Sequence, residues 1–446
     1  MPPPPPIACV VLAAGKGTRM KSALHKVLHP LAGRPMLLHL LASVDALRPA
    51  AKVIVVGAGR EQVEAAVVGT GAIVVVQEPQ LGTAHAVLQA EAALAGFEGV
   101  VLVLYGDVPL IETATMARLV AALDDATGAV VLGFRPADAG AYGRIIAIDG
   151  VIRKMVEFKD ADVAERAETL CNCGVMAVRS RDLWPLLGRV GDDNAAGEYY
   201  LPDIVGLSER PSRVIETSAA EVAGVNSRAE LAAVEGVWQT QRRAEMMAAG
   251  VTLTAPETVW FAHDTSVAAD VVIAQNVVFG AGVDIARGAT IHAFSHIDGA
   301  TIGEDVEVGP YARLRPGTVL EAGAKIGNFV EVKATRVGAG AKASHLSYLG
   351  DADIGAGANI GAGTITCNYD GYFKYRTHIG ERAFIGSNTA LVAPVTVGAD
   401  AIVGAGSTVT SDVAPGALAM TRAPQTAKPD WATRFRQAMT TRKRNA

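Results

Sequence analysis

The residues best suited to chemistry fall in a few short segments. After an apolar run at residues 7–12 the chain turns through Ala13-Ala14-Gly15-Lys16-Gly17-Thr18-Arg19-Met20. Glycines in such a turn let backbone N–H groups approach phosphate oxygens, and Lys16 and Arg19 add positive charge. The pattern is neither the P-loop nor the dinucleotide GxGxxG, and an ordinary tight turn uses the same residue types. Asp107 follows a second apolar run, residues 100–104, where a carboxylate can serve a hard cation such as Mg2+ or merely form a turn before Pro109. Cys171 and Cys173 flank one residue within an apolar stretch, and a metal there would need further ligands. His292 and His296 are spaced as on one helix face, yet they lie in a repeat that is not helical. The zinc reading therefore fails, and both are expected in solvent.

The chain of 446 residues suggests two to three domains. Half of it is apolar and the net charge is −5, which disfavours a dedicated nucleic-acid binder. Four scattered cysteines, Cys9, Cys171, Cys173 and Cys367, make no disulfide framework and suit a reducing cytoplasm. Pro2 to Pro6 form a leader expected to be disordered, with no signal-peptide pattern, and no run is long enough to span a membrane.

Three regions must position these groups. Residues 7–226 alternate Val- and Ile-rich runs (7–12, 52–56, 72–76, 100–104) with amphipathic stretches (36–47, 84–94), which predicts a Rossmann-like α/β domain with a mostly parallel sheet. Ligands of such sheets bind beyond the carboxyl ends of the strands. Ser227-Arg228-Ala229-Glu230 fits a capping box, and Gly250 is a natural stop, so residues 227–250 read as one linker helix. Beyond it, aliphatic residues recur every six: Val267, Ile273, Phe279, Ile285, Ile291 and Ile297. The phase then slips by one, and the series resumes with Ile302, Val308, Leu314, Leu320, Ile326 and Val332. Ile354 and Ile360 follow, and Ile379 to Val409 form a third register. A six-residue period fits a three-sided solenoid of about eight coils, one aliphatic residue inward per side, with glycine easing each corner. The break at residues 367–378 predicts an external loop, and the polar, basic tail from Pro424 is expected to be extended or partly ordered.

Leu12 to Met20 with Lys26-Val27-Leu28, Gln80-Leu81-Gly82-Thr83-Ala84-His85-Ala86, Tyr105-Gly106-Asp107-Val108-Pro109-Leu110 and Gly224-Val225-Asn226 closely resemble the motifs of sugar-1-phosphate nucleotidyltransferases, in order. The resemblance implies that Asp107 and Asn226 hold Mg2+, and that Lys26 and Arg19 neutralise charge as a sugar phosphate attacks the α-phosphorus of UTP. It places Leu12, Ala13, Gly15, Tyr105 and Gly106 in the nucleotide site, Gln77, Gly82 and Thr83 at the uracil, and Gly143, Glu157 and Asn172 at the sugar. The family commonly has Pro before the lysine. Here His25 stands there, read as a solvated loop residue.

The repeat resembles the left-handed β-helix acyltransferases, and that handedness comes from the likeness alone. Arg313-Leu314-Arg315-Pro316-Gly317, Asn328 to Lys333, His345 to Gly350 and Asn359 to Gly371 are similar to the acetyltransferase half of bifunctional uridylyltransferases. That implies His345 as general base, with Glu331 orienting it. Arg315 and Lys333 would grip a sugar phosphate, while Tyr348, Asn359, Asn368, Tyr369 and Lys374 line the amino-sugar pocket. Ala362, Ser387, Ala405 and Arg422 would contact acetyl-CoA. The expected domains are 1–226 for uridylyl transfer, 227–250 as linker and 251–446 for acetyl transfer. The resemblance further implies a homotrimer whose acetylation sites lie between subunits, acting on small sugar phosphates. Two rivals share the folds: a single-activity nucleotidyltransferase with a structural tail, which needs no base at His345, and an assembly scaffold, which needs neither Lys26 nor Asp107.

Overall fold

The computed structural model describes residues 5–445, so Pro2 to Pro4 of the proline run lie outside the described residues. The chain divides into two units, one up to Arg242 and one from Arg243. The first is built on a nine-stranded sheet. Its order begins Ile73–Val76, Ala51–Val56, Ile7–Ala13, Val100–Tyr105 and continues Cys171–Arg179, Ala129–Phe134, Arg213–Thr217, Val151–Val156, Arg144–Ile148. The first four strands are parallel. Cys171–Arg179 runs antiparallel to both long neighbours, and Arg144–Ile148 with Val151–Val156 forms a hairpin, which needs no crossover. The parallel character expected from the sequence therefore belongs to the half that carries the candidate site.

Along Ile7–Ala13, Cys9, Val11 and Ala13 join one buried cluster while Ala8, Val10 and Leu12 join another. Both faces are covered, which is why the run is continuously apolar instead of alternating. Strand order reverses between Ile7–Ala13 and Val100–Tyr105, where Leu12 lies beside Tyr105. That is the switch point at which open α/β sheets bind ligands. The stretch expected as a helix over 36–47 is Met36–Ala46. The one expected over 84–94 breaks into Thr83–Leu88 and a 3-10 turn at Ala92–Leu94.

The division between units falls within the helix Arg228–Ala248. Ser227 Oγ accepts from the Glu230 N–H at 3.3 Å, as a capping box requires. The Glu230 carboxylate, however, reaches one residue further and accepts from the Asn226 N–H at 2.7 Å. The box thus anchors Asn226 as well as the helix. Gly250, at φ 93°, closes the other end by donating to Met247 O at 3.1 Å.

The second unit is a left-handed parallel β-helix whose walls are sheets of ten, eight and eight strands. Ile273 pairs with Ile291 and Ile291 with Val308, so each coil repeats the inward aliphatic position. From Ile273 onward the members of the six-residue series are buried, and only Val267, on the first coil, is half-exposed. Leu391 is 0 % exposed within this stack. Leu391→Ala is expected to cost about 2–5 kcal/mol, read as a lower urea midpoint, because neighbouring rungs cannot collapse into the void.

The glycines that follow the aliphatic residues do not make the corners. A Cβ on Gly303 would lie 2.9 Å from Leu320 O, and one on Gly355 2.4 Å from Glu381 N, so these glycines admit the next coil's backbone. Corners are turned elsewhere, many by non-glycine residues in the left-handed region: Phe294, Tyr311, Phe329 and Leu346 have φ of 61°, 55°, 57° and 51°. The three rings stack at 4.9 and 5.2 Å, which offsets the backbone strain with ring contact. The expected external loop lies between the strands Ile365–Cys367 and Thr377–Ile379, pinned by a bridge between Tyr369 and Lys374. Of the two expectations for the tail, the partly ordered one applies, since Trp431–Arg444 is a helix without a buried residue. Its Ala, Arg, Gln and Met content favours helix even though its polarity suggested an extended chain.

Candidate functional site

In the first unit a cavity of about 390 Å³ opens at the switch point. Leu12, Ala13, Gly15, Lys26, Gln77, Gly82, Thr83, Tyr105 and Asp107 all line it. Two glycines are fixed by contact. Gly82, at φ 114°, would place a Cβ 2.6 Å from Tyr199 O, and Gly17, at φ 58°, would place one 2.5 Å from the Lys26 Cβ. The first lets the segment around Tyr199 clamp the Gly82 turn, with Ala84 N–H donating to Tyr199 O at 2.9 Å. Gln77 Nε2 donates to Gly82 O at 2.9 Å, holding the amide at the cavity wall.

Lys26 Nζ lies 2.5 Å from Asp107 Oδ2 and 3.1 Å from Asn226 Oδ1. Val225 N–H donates to Asp107 O at 2.9 Å, which brings the distant 224–226 segment to the strand end. Gly106 is buried beneath, its N–H donating to Leu12 O at 2.9 Å. Gly143, Glu157 and Asn172 form a second group. The Asn172 N–H donates to Gly143 O at 2.9 Å, and a Cβ on Gly143 would meet Glu157 Oε1 at 3.1 Å. Burial, and then nearby Asp203, Asp160 and Glu198, raise the Glu157 carboxyl above its ordinary range. Burial pushes the Tyr105 hydroxyl up as well, with Asp107 and Glu157 adding to it. Arg19 is exposed and does not line the cavity. Gln80 and Glu198 do line it and were not singled out. Gln80 Nε2 donates to Ala14 O, and the only sequence signal was its place at the head of the Gly82 motif.

His25 is buried, not solvated, and neither ring nitrogen has a partner. Its φ of −58° and ψ of 140° are polyproline geometry, so the loop keeps the shape a proline would impose. Its N–H donates to Gln62 Oε1 at 2.8 Å, a bond that proline could not make. Burial, then Lys26 and His29, hold this imidazole below the ordinary 6.5, and burial with Arg228 does the same for His29. The unfolded chain then binds protons more readily than the folded one. The resulting stability is present above pH 6.5 and is lost as pH falls through and below that value. The thermal midpoint is expected to drop on acidification below 6.5, with a shallower fall in His25→Asn.

Burial pushes the Cys9 and Cys173 thiols up to about 12, and all four cysteines are free. His292 is half-buried, His296 is exposed, and no metal-holding group of three or more His, Cys, Asp or Glu occurs among the described residues.

In the second unit His345 is exposed at the end of the strand Lys342–His345. Its Nδ1 lies 2.6 Å from Asn328 Oδ1, on the preceding coil. An amide oxygen only accepts, so this contact calls for a proton on Nδ1, and in the neutral ring Nε2 is then the nitrogen that accepts. Glu331, expected to orient the imidazole, instead pairs with Arg315 at 2.8 Å. Strand register explains this, since Glu331 lies between Arg313 and Tyr348 on the adjoining wall while Asn328 stands beside His345. Ala343 pairs with Ile360, Ile360 with Ile385 and Ile385 with Val403. Two residues on, His345, Ala362, Ser387 and Ala405 therefore form one column along a single edge of the prism. Asn359 lies on the same wall. Arg422 is exposed beyond the last coils.

The cationic residues gather elsewhere. Lys333 lies 3.4 Å from Asp351, whose carboxylate also accepts from Asn368 Nδ2 at 2.5 Å. Lys333, with Arg315 nearby, lowers the ammonium of Lys374. Tyr369 closes the adjoining loop, its hydroxyl donating to Gly371 O at 2.5 Å. Tyr348 starts the wall that separates this cluster from the His345 edge. Asp351 was not foreseen, because only register reveals that it faces Lys333 and Asn368.

Residues 9–196 match the MobA-like NTP transferase domain, and residues 299–334 and 376–411 match the bacterial transferase hexapeptide family. Bifunctional protein GlmU of Sphingopyxis alaskensis is 66% identical over 443 residues, 98% of each chain. That of Rhizorhabdus wittichii is 66% identical over 444 residues, again 98% of each. That of Zymomonas mobilis is 56% identical over 440 residues, 97% of this chain and 98% of its own. Among the described residues no helix is long and apolar enough to cross a membrane. With such identity over nearly its whole length, the chain belongs to the GlmU family of bifunctional transferases.

Proposed function

We propose that residues 251–446 acetylate glucosamine-1-phosphate from acetyl-CoA and that residues 1–226, joined by the helix region 227–250, transfer UMP from UTP to the product. The order follows from chemistry, since the second reaction consumes what the first makes. In the acetyl site the sugar amine attacks the thioester carbonyl while His345 Nε2 takes its proton, the C–S bond breaks, and the thiolate leaves and is reprotonated. A backbone N–H near Ala362 would stabilise the oxyanion. The column His345, Ala362, Ser387 and Ala405 suits an extended acyl donor. The cations Arg315, Lys333 and Lys374 suit a sugar phosphate. Base and cations occupy different edges of one wall, which supports a site completed by a neighbouring copy in a homotrimer.

In the uridylyl site a phosphate oxygen of N-acetylglucosamine-1-phosphate attacks the α-phosphorus and pyrophosphate leaves. Gln77, Gly82 and Thr83 hold the base, Gly143, Glu157 and Asn172 the sugar, and Lys26 and Arg19 the phosphates. The donor set fits Mg2+, because a carboxylate and an amide oxygen already converge on one positive charge and phosphates supply further oxygens. Bound to Asp107 and Asn226, Mg2+ supplies charge neutralisation for the triphosphate. Four free thiols favour a cytoplasmic setting.

The observation that carries this reading is the pairing of a charged cavity in one unit with an exposed, oriented imidazole in the other. The test is product analysis with glucosamine-1-phosphate, acetyl-CoA, UTP and Mg2+ together. UDP-N-acetylglucosamine is expected, and preferential uridylylation of a non-acetylated sugar phosphate would overturn the assignment.

A further inference from the structure

The Lys26 ammonium stands where a cation bound by this pocket would stand. It is 2.5 Å from Asp107 Oδ2 and 3.1 Å from Asn226 Oδ1, the two oxygens assigned above to the metal. The side chain is 13% exposed and packed against Gly17, where any Cβ would fall 2.5 Å from the Lys26 Cβ. Gly15 backs the ammonium itself, a Cβ there falling 3.9 Å from Nζ. The same two oxygens cannot serve an ammonium and a divalent ion at once, because two cations so close in a partly buried site repel strongly.

We propose that Lys26 is a resident counter-ion which the entering metal displaces. In the free protein its ammonium neutralises Asp107 and satisfies Asn226. Metal entry breaks both contacts and turns the ammonium into the cavity it lines, where the phosphates bind. Lys26 thus serves the triphosphate only once the metal is in place, so metal and nucleotide bind with mutual reinforcement. This inference rests on the assignment of Asp107 and Asn226 to the metal.

The experiment is a titration of the full chain with Mn2+ alone, free Mn2+ being read by electron paramagnetic resonance. Lys26→Met removes the competing charge at similar length and is expected to bind Mn2+ about tenfold more tightly. Lys26→Arg is expected to bind no more tightly than the unaltered protein. Equal or weaker binding by Lys26→Met overturns the displacement. Adding Asp107→Asn to Lys26→Met is expected to abolish the gain, and undiminished binding there would overturn the metal assignment itself. A second readout guards against a poorly folded variant: the Mn2+-induced rise in thermal midpoint is expected to be larger in Lys26→Met, and an equal or smaller rise counts against the proposal.

Discussion

His345→Ala is expected to slow acetyl transfer by about 10²–10⁴-fold, the usual contribution of a placed general base, while pyrophosphate release from UTP continues unchanged. The two activities are read separately, as free thiol from acetyl-CoA and as pyrophosphate. The imidazole is exposed, so its loss opens no cavity and should not disturb the stacked core. What is lost is the proposed base, an imidazole held through Nδ1 by Asn328 at 2.6 Å. Asn328→Ala should have a smaller effect that appears in the pH profile, because the imidazole remains but its tautomer is no longer fixed. Unchanged acetyl transfer in His345→Ala would refute the base assignment.

Asp107→Ala is expected to do the reverse, lowering uridylyl transfer by about 10³-fold with acetyl transfer intact. Asp107 lines the same cavity as Lys26 and holds it directly. Its removal deletes the proposed anionic ligand for the metal and leaves the Lys26 ammonium without its ion pair. The strand behind it is fully packed and does not depend on this side chain, so the fold should survive. If either variant abolished both activities in folded protein, two separate sites could not be the right description.

Periodicity made much of this legible. A continuous apolar run covered on both faces and a six-residue repeat each narrow the structural choices sharply, and the strands and coils follow, though not the hand of the coil. Pairings that depend on register were hidden. The resemblance offered Glu331 as the residue orienting His345, yet a wall of the prism points it at Arg315, and Asn328 takes the orienting place. Glycine roles were hidden likewise, since turning a corner and admitting a neighbouring backbone leave the same letter in the chain. His25 seemed an intrusion into a proline loop. Its dihedrals show that the backbone kept its course and that the cost is borne by two unpartnered nitrogens.

The edge carrying His345, Ala362, Ser387 and Ala405 has a metric consequence. One residue per coil, at roughly 4.8 Å per step, makes that edge a ruler of about 14 Å from the imidazole to Ala405. A thioester carrier laid along it is gauged in whole rungs. Inserting or deleting a coil would reset the accepted carrier length by one increment without touching the base, so reach and reactivity are separately adjustable in this architecture.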